Sequence, residues 1–229
     1  MATSGTTAFN PDLSEIVEEA FERCGGELRT GYDLRTARRS LNLMFTDWAN
    51  RGVNMWTMEQ GQQILTPGTA TYNLPADTVD LLDHVIRTGA GNASTQADLT
   101  ITRISEPTYS SIPNKLQQAR PIQVWIERLN TPRFTVWPVP DNSQTYTFVY
   151  WRLRRIQDAG DGVNTMDMPF RFYNAMVAGL SYYMAMKVPG ALERLQILKQ
   201  QYDEAWQTAA DEDRERAAIR FVPRQQYIG

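Results

Sequence analysis

The sequence predicts an α+β fold: a helical bundle built from N- and C-terminal helix pairs, with an inserted antiparallel β-rich domain and an extended C-terminal tail. Three observations predict it. Apolar residues recur at helical spacing before residue 53, the period changes to two near Met55, and helical spacing returns near Met168. Helix pairs that flank a β region are most simply packed together, which makes the β region an insertion.

These changes of period also set the predicted domain boundaries. Residues 1–9 are small and polar and form a flexible N-terminus. Residues 10–53 and 167–213 together form the helical domain, residues 54–166 form the β-rich domain, and residues 214–229 form the tail.

The first helix is expected to begin with Asn10 as N-cap and Pro11 at its first position, and to end at Gly25-Gly26. A second helix is expected from about Asp33 to Arg51. Its outer face carries a basic patch of Arg35, Arg38 and Arg39. This patch is either a solvated surface or a contact to a neighbouring subunit.

The middle of the chain alternates strands with turn signals. Residues 56–75 are predicted to form two strands joined by a turn at Pro67-Gly68, and residues 79–87 a third. Residues 88–97 contain no large apolar side chain and are expected to form an exposed loop. After these come a strand from Leu99 to Ile104, a short helix capped by Ser105, and strands at 122–129, 133–137 and 145–154.

The prolines Pro138 and Pro140 close the strand 133–137, because proline cannot donate to a ladder. We expect them to blunt an edge strand. Pro169 then opens a helix to Lys187, with one apolar face formed by Phe170, Tyr173, Val177, Leu180 and Met184. Pro189-Gly190 separates it from a last helix, expected from about Ala191 to Asp213.

Composition excludes several classes of protein. The net charge of −3 and pI of about 5.3 argue against a protein that holds nucleic acid by bulk charge. Cys24 is the only cysteine, so no intrachain disulfide forms, which fits a reducing compartment. No apolar run reaches the length of a membrane span, and the N-terminus has no secretory pattern. We expect a protein that is soluble and cytosolic when made.

A search for catalytic chemistry yields little. His84 is the only histidine, so any triad would need it, yet it lies inside a predicted strand. One cysteine and one histidine cannot form a zinc cluster. Carboxylates at Asp77, Asp80 and Asp83, with Glu59 across a hairpin, leave a glycan hydrolase open as an alternative. Tryptophan and tyrosine platforms leave open a single-stranded nucleic-acid-binding protein. No catalytic, cofactor-binding or metal-binding residue is expected.

Six segments, in this order, resemble one family. They are ARRSLNLMFTDWANRGVNMWT (37–57), GTATYNLPAD (68–77), ITRISEPTYSSIPNK (101–115), RPIQVWIER (120–128), WPVPD (137–141) and MPFRFYNAMVAGLSYYMAMK (168–187). The chain resembles, over residues 10–213, the head-to-tail adaptors of short-tailed bacteriophages, also called tail accessory factors or tail tubular proteins.

The resemblance implies a structural virion protein at the head–tail junction, assembled in the host cytoplasm, and not an enzyme. It implies a homo-oligomeric ring, a dodecamer, that sits under the portal protein and seats the tail nozzle protein. Genomic DNA would pass through the channel during ejection without specific binding. No cofactor and no membrane contact are implied.

Two sets of partner-binding residues follow. The tail after Asp213 has apolar residues that are too few to build their own core, so we expect them to order on the portal together with nearby arginines. The alternative is a tail that folds back on its own helix or docks on the next subunit. The predicted portal-binding residues are Arg220, Phe221, Val222, Arg224, Tyr227 and Ile228. Small, polar turns beside a rigid β scaffold are expected to meet the nozzle. The predicted nozzle-binding residues are Pro67, Gly68, Gly89, Gly91 and Asn92.

Overall fold

A computed structural model describes residues 3–27, 31–52 and 55–214. Helices at both ends of the chain flank a β-rich region, so the predicted α+β class is confirmed. The chain divides into a helical unit, Met1–Met44 with Ala159–Gly229, and a β unit, Phe45–Asp158. The first division falls inside helix α2 (Gly31–Asn50), whereas the boundary expected from sequence lay after that helix, at residue 53.

Helix α1 (Leu13–Cys24) begins at a capping box. The Asp12 Oδ1 atom accepts a hydrogen bond from the Glu15 amide, and a Glu15 carboxylate oxygen accepts one from the Asp12 amide, each at 3.0 Å. The prediction that Asn10 is the N-cap is therefore wrong, because Asp12 caps the helix. The Asn10 side chain accepts instead from the Tyr173 hydroxyl, because Asp12 alone has a glutamate three residues later to complete the box. Gly25 ends the helix in the left-handed conformation, as predicted.

Helix α4 (Tyr173–Ala185) is buried around most of its circumference, and many of its buried residues are small. A Cβ atom at Gly179 would collide with Met44 Sδ on α2 and lie 2.8 Å from Tyr202 Cε2 on helix α5 (Leu195–Glu212). A single hydrogen at this position therefore lets three helices approach closely. Phe170, predicted on the buried face, is 79% exposed, because it lies in a 3-10 turn before α4.

The chain re-enters the helical unit through a return segment, residues 159–164, that is bound to both α1 and α2. The Ala159 amide donates to Asn42 Oδ1 at 2.8 Å, and Arg38 donates to the Gly160 carbonyl at 3.1 Å. Amides at the start of α1 donate to the carbonyls of Gly162 and Asn164 at 3.1 and 3.0 Å.

The β unit contains two four-stranded sheets. The first is antiparallel in the order β1-β8-β3-β4, formed by Met58–Leu65, Tyr146–Arg154, Thr78–Thr88 and Ala97–Thr100. The second has the order β2-β7-β6-β5, formed by Thr71–Asn73, Arg133–Trp137, Gln123–Glu127 and Thr102–Ile104. Its β5–β6 pair is parallel, and the short helix α3 (Glu106–Ser110) follows β5.

Strand pairing corrects three expectations. The two strands around Pro67-Gly68 do not form a hairpin, because the turn carries the chain from the first sheet to the second. The strand expected from Leu99 to Ile104 is split at Ile101 into β4 and β5, which also belong to different sheets. Strand β7 is interior and not an edge, since β2 and β6 pair with its two sides.

A column of stacked aromatic rings fills the core of the β unit. Phe134 of β7 lies between Tyr72 of β2, at 5.3 Å, and Phe148 of β8, at 4.4 Å. Tyr150 continues the column at 5.5 Å from Phe148. Phe134 and Phe148 are fully buried and come from different sheets, so their contact joins the two sheets.

Candidate functional site

Strand register brings three loops to one end of the first sheet. The residues Leu65 (β1), Tyr146 (β8), Thr88 (β3) and Ala97 (β4) lie side by side, because each pairs with the next. The turn 66–70, the loop 89–96 and the loop 138–145 all connect to this row. We call these three segments the distal loops. They include every predicted nozzle-binding residue: Pro67, Gly68, Gly89, Gly91 and Asn92.

The turn 66–70 is exposed but held by specific hydrogen bonds. The Tyr72 hydroxyl contacts the Thr66 amide at 2.8 Å and the carbonyls of Thr66 and Thr69 at 3.1 and 2.9 Å. Gly68, with φ of +78°, donates its amide to the Pro140 carbonyl at 2.9 Å. The Pro140 segment therefore supports the Pro67-Gly68 turn.

The loop 89–96 is folded by contacts within itself. The Asn92 carbonyl accepts from the amides of Thr95 and Gln96 at 3.1 and 2.8 Å. Gly89 has φ of +58°, and a Cβ there would lie 2.6 Å from the Thr95 carbonyl oxygen. Below the loop, Arg87 and Asp98 form a two-bond ion pair at 2.7 and 2.8 Å. This loop is a preformed projection whose side chains from Ala90 to Gln96 are exposed.

The third distal loop, 138–145, was not among the predicted nozzle-binding segments. Asp141 organises it by accepting hydrogen bonds from the Ser143 amide and hydroxyl at 3.1 and 2.7 Å, and from the Tyr146 hydroxyl at 3.1 Å. The sequence indicates a turn here, but only the pairing of β8 with both β1 and β3 puts this turn beside the other two.

The predicted portal-binding residues, from Arg220 to Ile228, lie outside the described residues. Just before them, Asp213 is buried and forms an ion pair with Arg171. Arg214 contacts Asp211 at 2.5 Å. The last described residues are thus anchored to the helical unit at the point where the tail begins.

His84 is not arranged like the histidine of a catalytic triad. It lies half-buried in β3 opposite Tyr150, and its Nδ1 atom is buried without a hydrogen-bond partner. Burial lowers its pKa, with Arg103 adding to the decrease and Asp83 opposing it. Asp83 is bonded to the His84 backbone amide at 2.8 Å. Hence no carboxylate in the described part of the chain is hydrogen-bonded to the His84 ring to orient it, as a triad requires.

Of the four carboxylates that left a glycan hydrolase open, Glu59, Asp77 and Asp80 contact arginines, and Asp83 accepts from a backbone amide. Arg152 lies between Glu59, at 2.8 Å, and Asp77, and Arg154 contacts Glu59 at 2.7 Å. The hydrogen bond from Arg152 lowers the pKa of Asp77, whereas an acid catalyst needs a raised pKa. No group of side chains suited to hold a metal ion occurs within residues 3–27, 31–52 and 55–214.

One partly exposed aromatic pair is already covered by contacts within its own chain. Tyr109 and Trp125 stack on each other at 5.1 Å, and the Lys115 ammonium lies 5.6 Å from the Tyr109 ring centre. A platform for bases would instead present open ring faces along a basic groove. This arrangement favours a structural role for these rings over nucleic-acid binding.

Comparison with protein families decides the class of protein. The family model described as SU10 adaptor protein matches residues 11–224, nearly the whole chain. The chain belongs to the SU10 adaptor protein family. The expected resemblance to a phage head-to-tail adaptor is thereby supported, and such adaptors are structural proteins that are typically not enzymes. No curated protein matches the sequence significantly. Among the described helices, none is long and apolar enough to cross a membrane.

Proposed function

We propose that this SU10 adaptor protein forms a closed ring, a dodecamer, between the portal vertex and the tail nozzle of a bacteriophage. Family membership supports an adaptor, and the distal loops supply a surface on which a second partner can be seated. In this proposal the distal loops meet the nozzle, and the C-terminal tail binds the portal.

The observation that carries the nozzle assignment is the common origin of the three distal loops at one end of the first sheet. The turn 66–70 and the loop 89–96 are largely exposed, the loop 138–145 is exposed from residue 142 to residue 145, and each of the three is held by hydrogen bonds. A surface that is already ordered loses little conformational entropy on binding, so it suits a permanent joint in a virion.

The loop 89–96 can be tested without disturbing the sheet. Thr88 and Ala97 pair directly, so a two-residue Asn-Gly turn can replace residues 89–96 and still close the β3–β4 hairpin. The shortened protein should fold and bind portal normally but attach less nozzle in virion assembly. A matched control is Leu129→Ser/Asn130→Ser in the β6–β7 turn, which lies at the opposite end of its sheet from the 66–70 turn. Normal nozzle attachment by the shortened protein would remove the loop from the site.

Portal binding by the tail is tested by a stop codon after Arg214, which keeps the Asp213–Arg171 ion pair. The truncated protein should fold but no longer co-purify with portal. Phe221→Ala/Tyr227→Ala in the full chain tests the same anchors without shortening it. Undiminished portal binding by both variants would assign the portal contact to the helical unit.

Passage of DNA requires a channel that does not hold it. The net charge of −3 fits a channel through which DNA slides. Native mass measurement of the protein, alone and with portal, gives the copy number and decides whether a ring forms. A species that stays monomeric in both conditions would contradict the proposed function.

A further inference from the structure

Helix α1 carries two carboxylates without a partner. Glu18 and Glu22 are one helical turn apart on its exposed face, and neither side chain makes a hydrogen bond or an ion pair within the described chain. Their neighbours are occupied: Glu15 belongs to the capping box, and Glu19 contacts Arg23 at 2.8 Å. Like charges at this spacing repel each other in an isolated helix.

Helix α2 carries the opposite arrangement. Arg35 and Arg39 are also one turn apart on an exposed stripe, and Leu43, 59% exposed, continues it one turn further. Neither arginine reaches a carboxylate in the part of the chain that the structure describes. Arg35 only donates to the Gly31 carbonyl of its own helix, at 3.3 Å.

The third arginine of the basic patch has a different role. Arg38 contacts Asp161 at 2.9 Å and so helps to hold the return segment on α2. Positive charge nevertheless accumulates around Arg39, because Lys187 lies nearby with its ammonium on the Ser40 hydroxyl at 2.6 Å. Burial lowers the pKa of Lys187, and the nearby positive charge of Arg39 lowers it further.

The two pairs have the same spacing and opposite charge. Four residues along an α-helix advance by about 6 Å, so two carboxylates and two guanidinium groups are each separated by that distance. Within residues 3–27, 31–52 and 55–214 these four side chains have no partner of opposite charge, so they are available to a second copy. A ring of more than two subunits requires two unlike patches on every subunit, each complementary to the other.

We propose that Glu18 and Glu22 of one copy pair with Arg35 and Arg39 of the next copy, head to tail around the ring. Leu43 adds an apolar contact beside the ion pairs. This inference rests on the ring of the proposed function, and it assigns the subunit interface to the exposed faces of α1 and α2.

Charge reversal tests the pairing. Glu18→Arg/Glu22→Arg should reduce the assembled fraction at low salt by at least about tenfold, and so should Arg35→Glu/Arg39→Glu, because each brings like charges together. The variant with all four reversals should assemble again, because every subunit then carries both exchanged patches. The control Glu193→Arg/Asp203→Arg changes the net charge by the same amount as Glu18→Arg/Glu22→Arg, at exposed positions of the helical unit, and should assemble normally.

The outcomes separate this inference from the ring itself. Absence of any ring in the unchanged protein, alone or with portal, contradicts the proposed function. Rings that persist in both double variants, loss of assembly in the control, or folded quadruple variants that fail to assemble would each overturn the α1–α2 pairing. Thermal melts of every variant establish that it is folded.

A second measurement does not depend on charge. Glu22→Cys/Arg35→Cys, treated with a short bismaleimide, should give a ladder of covalent dimers, trimers and larger species. Cys24 should not compete, since it is buried and burial raises the pKa of its thiol to about 11. Monomer alone, or dimer without larger species, would contradict head-to-tail contact through these helices.

Discussion

Helix α4 of the helical unit and the aromatic column of the β unit are packed by side chains of opposite size. Around α4, the small residues Ala175, Ala178, Gly179 and Ser181 are buried. Because these side chains are small, the neighbouring helices approach closely and fill the space themselves. The β unit instead stacks large rings, with Phe134 and Phe148 at 4.4 Å. Close-packed interiors tolerate neither voids nor extra atoms. We therefore expect the β unit to be sensitive to lost volume and the helical unit to added volume.

The largest expected effect is from removal of the central ring of the aromatic column. Phe134→Ala should lower the free energy of unfolding by about 3–5 kcal/mol, because it leaves a cavity between the two sheets. Denaturant titration of the full chain measures this change. Phe134→Leu, which keeps most of the volume, should cost clearly less. Equal stability of the alanine variant and the unchanged protein would contradict the packing described for the β unit.

Added volume gives the complementary test. Gly179→Ala should destabilise by about 1–3 kcal/mol, although alanine favours a helix, since its methyl group meets Met44 and Tyr202. Gly31→Ala is the matched control, because a Cβ at the first residue of α2 meets nothing within 4 Å. If both substitutions were neutral in thermal melts, close helix approach at Gly179 would be refuted.

Ion pairs sharpen the same comparison. In the β unit, Arg152 of β8 joins Glu59 of β1 to Asp77, which precedes β3, so one guanidinium ties three segments. In the helical unit, Arg23 and Glu19 are neighbours within one helix. Arg152→Met should destabilise by about 1–3 kcal/mol, whereas Arg23→Met should cost about 0.2–0.5 kcal/mol. Arg155→Met, at an exposed neighbouring position, is the control; equal effects of Arg152 and Arg155 would refute the difference.

Lowering the pH should destabilise the β unit through protonation of Asp77. Of the four predictions, this one has the smallest expected effect. The folded-state pKa of Asp77 lies below the unfolded value, because Arg152 donates to its carboxylate. The stability it contributes is therefore complete above the unfolded pKa of about 4 and is lost as the pH falls through the folded pKa. Asp77→Asn should flatten the fall in stability over that range in melts between pH 6 and 3. An unchanged pH profile would show that another carboxylate dominates.

The order of elements could be predicted from the sequence because helical and strand periodicity are local properties. The stripe on α1, the ends at Gly25-Gly26 and the strands near 79–87 and 133–137 all follow from neighbours in the chain. Strand partners could not be predicted in the same way. The turn at Pro67-Gly68 has the sequence of a hairpin turn. However, β1 pairs with β8 and β2 pairs with β7, so the two strands beside the turn belong to different sheets.

The candidate site divides in the same manner. Exposure of Gly68, Gly91 and Asn92 could be predicted from small, polar composition alone. That their loops share one end of a sheet depends on the register of Tyr146 with both Leu65 and Thr88, which no local pattern contains. The complementary pairs on α1 and α2 were visible only in part, since the sequence indicates a basic patch of three arginines but not that Arg38 is already paired.

The return segment places the two ends of the inserted β unit close to each other. The chain leaves the helical unit after Met44 and comes back at Ala159, whose amide is held by Asn42 near the point of departure. An insertion with fixed, neighbouring ends adds little loop-closure entropy when its length changes. Recombination could therefore exchange the β unit between related phages while the helices stay the same. We expect natural variants to differ most in the inserted unit; if the distal loops bind the nozzle as proposed, a virus that acquires a new nozzle should acquire the matching insertion with it.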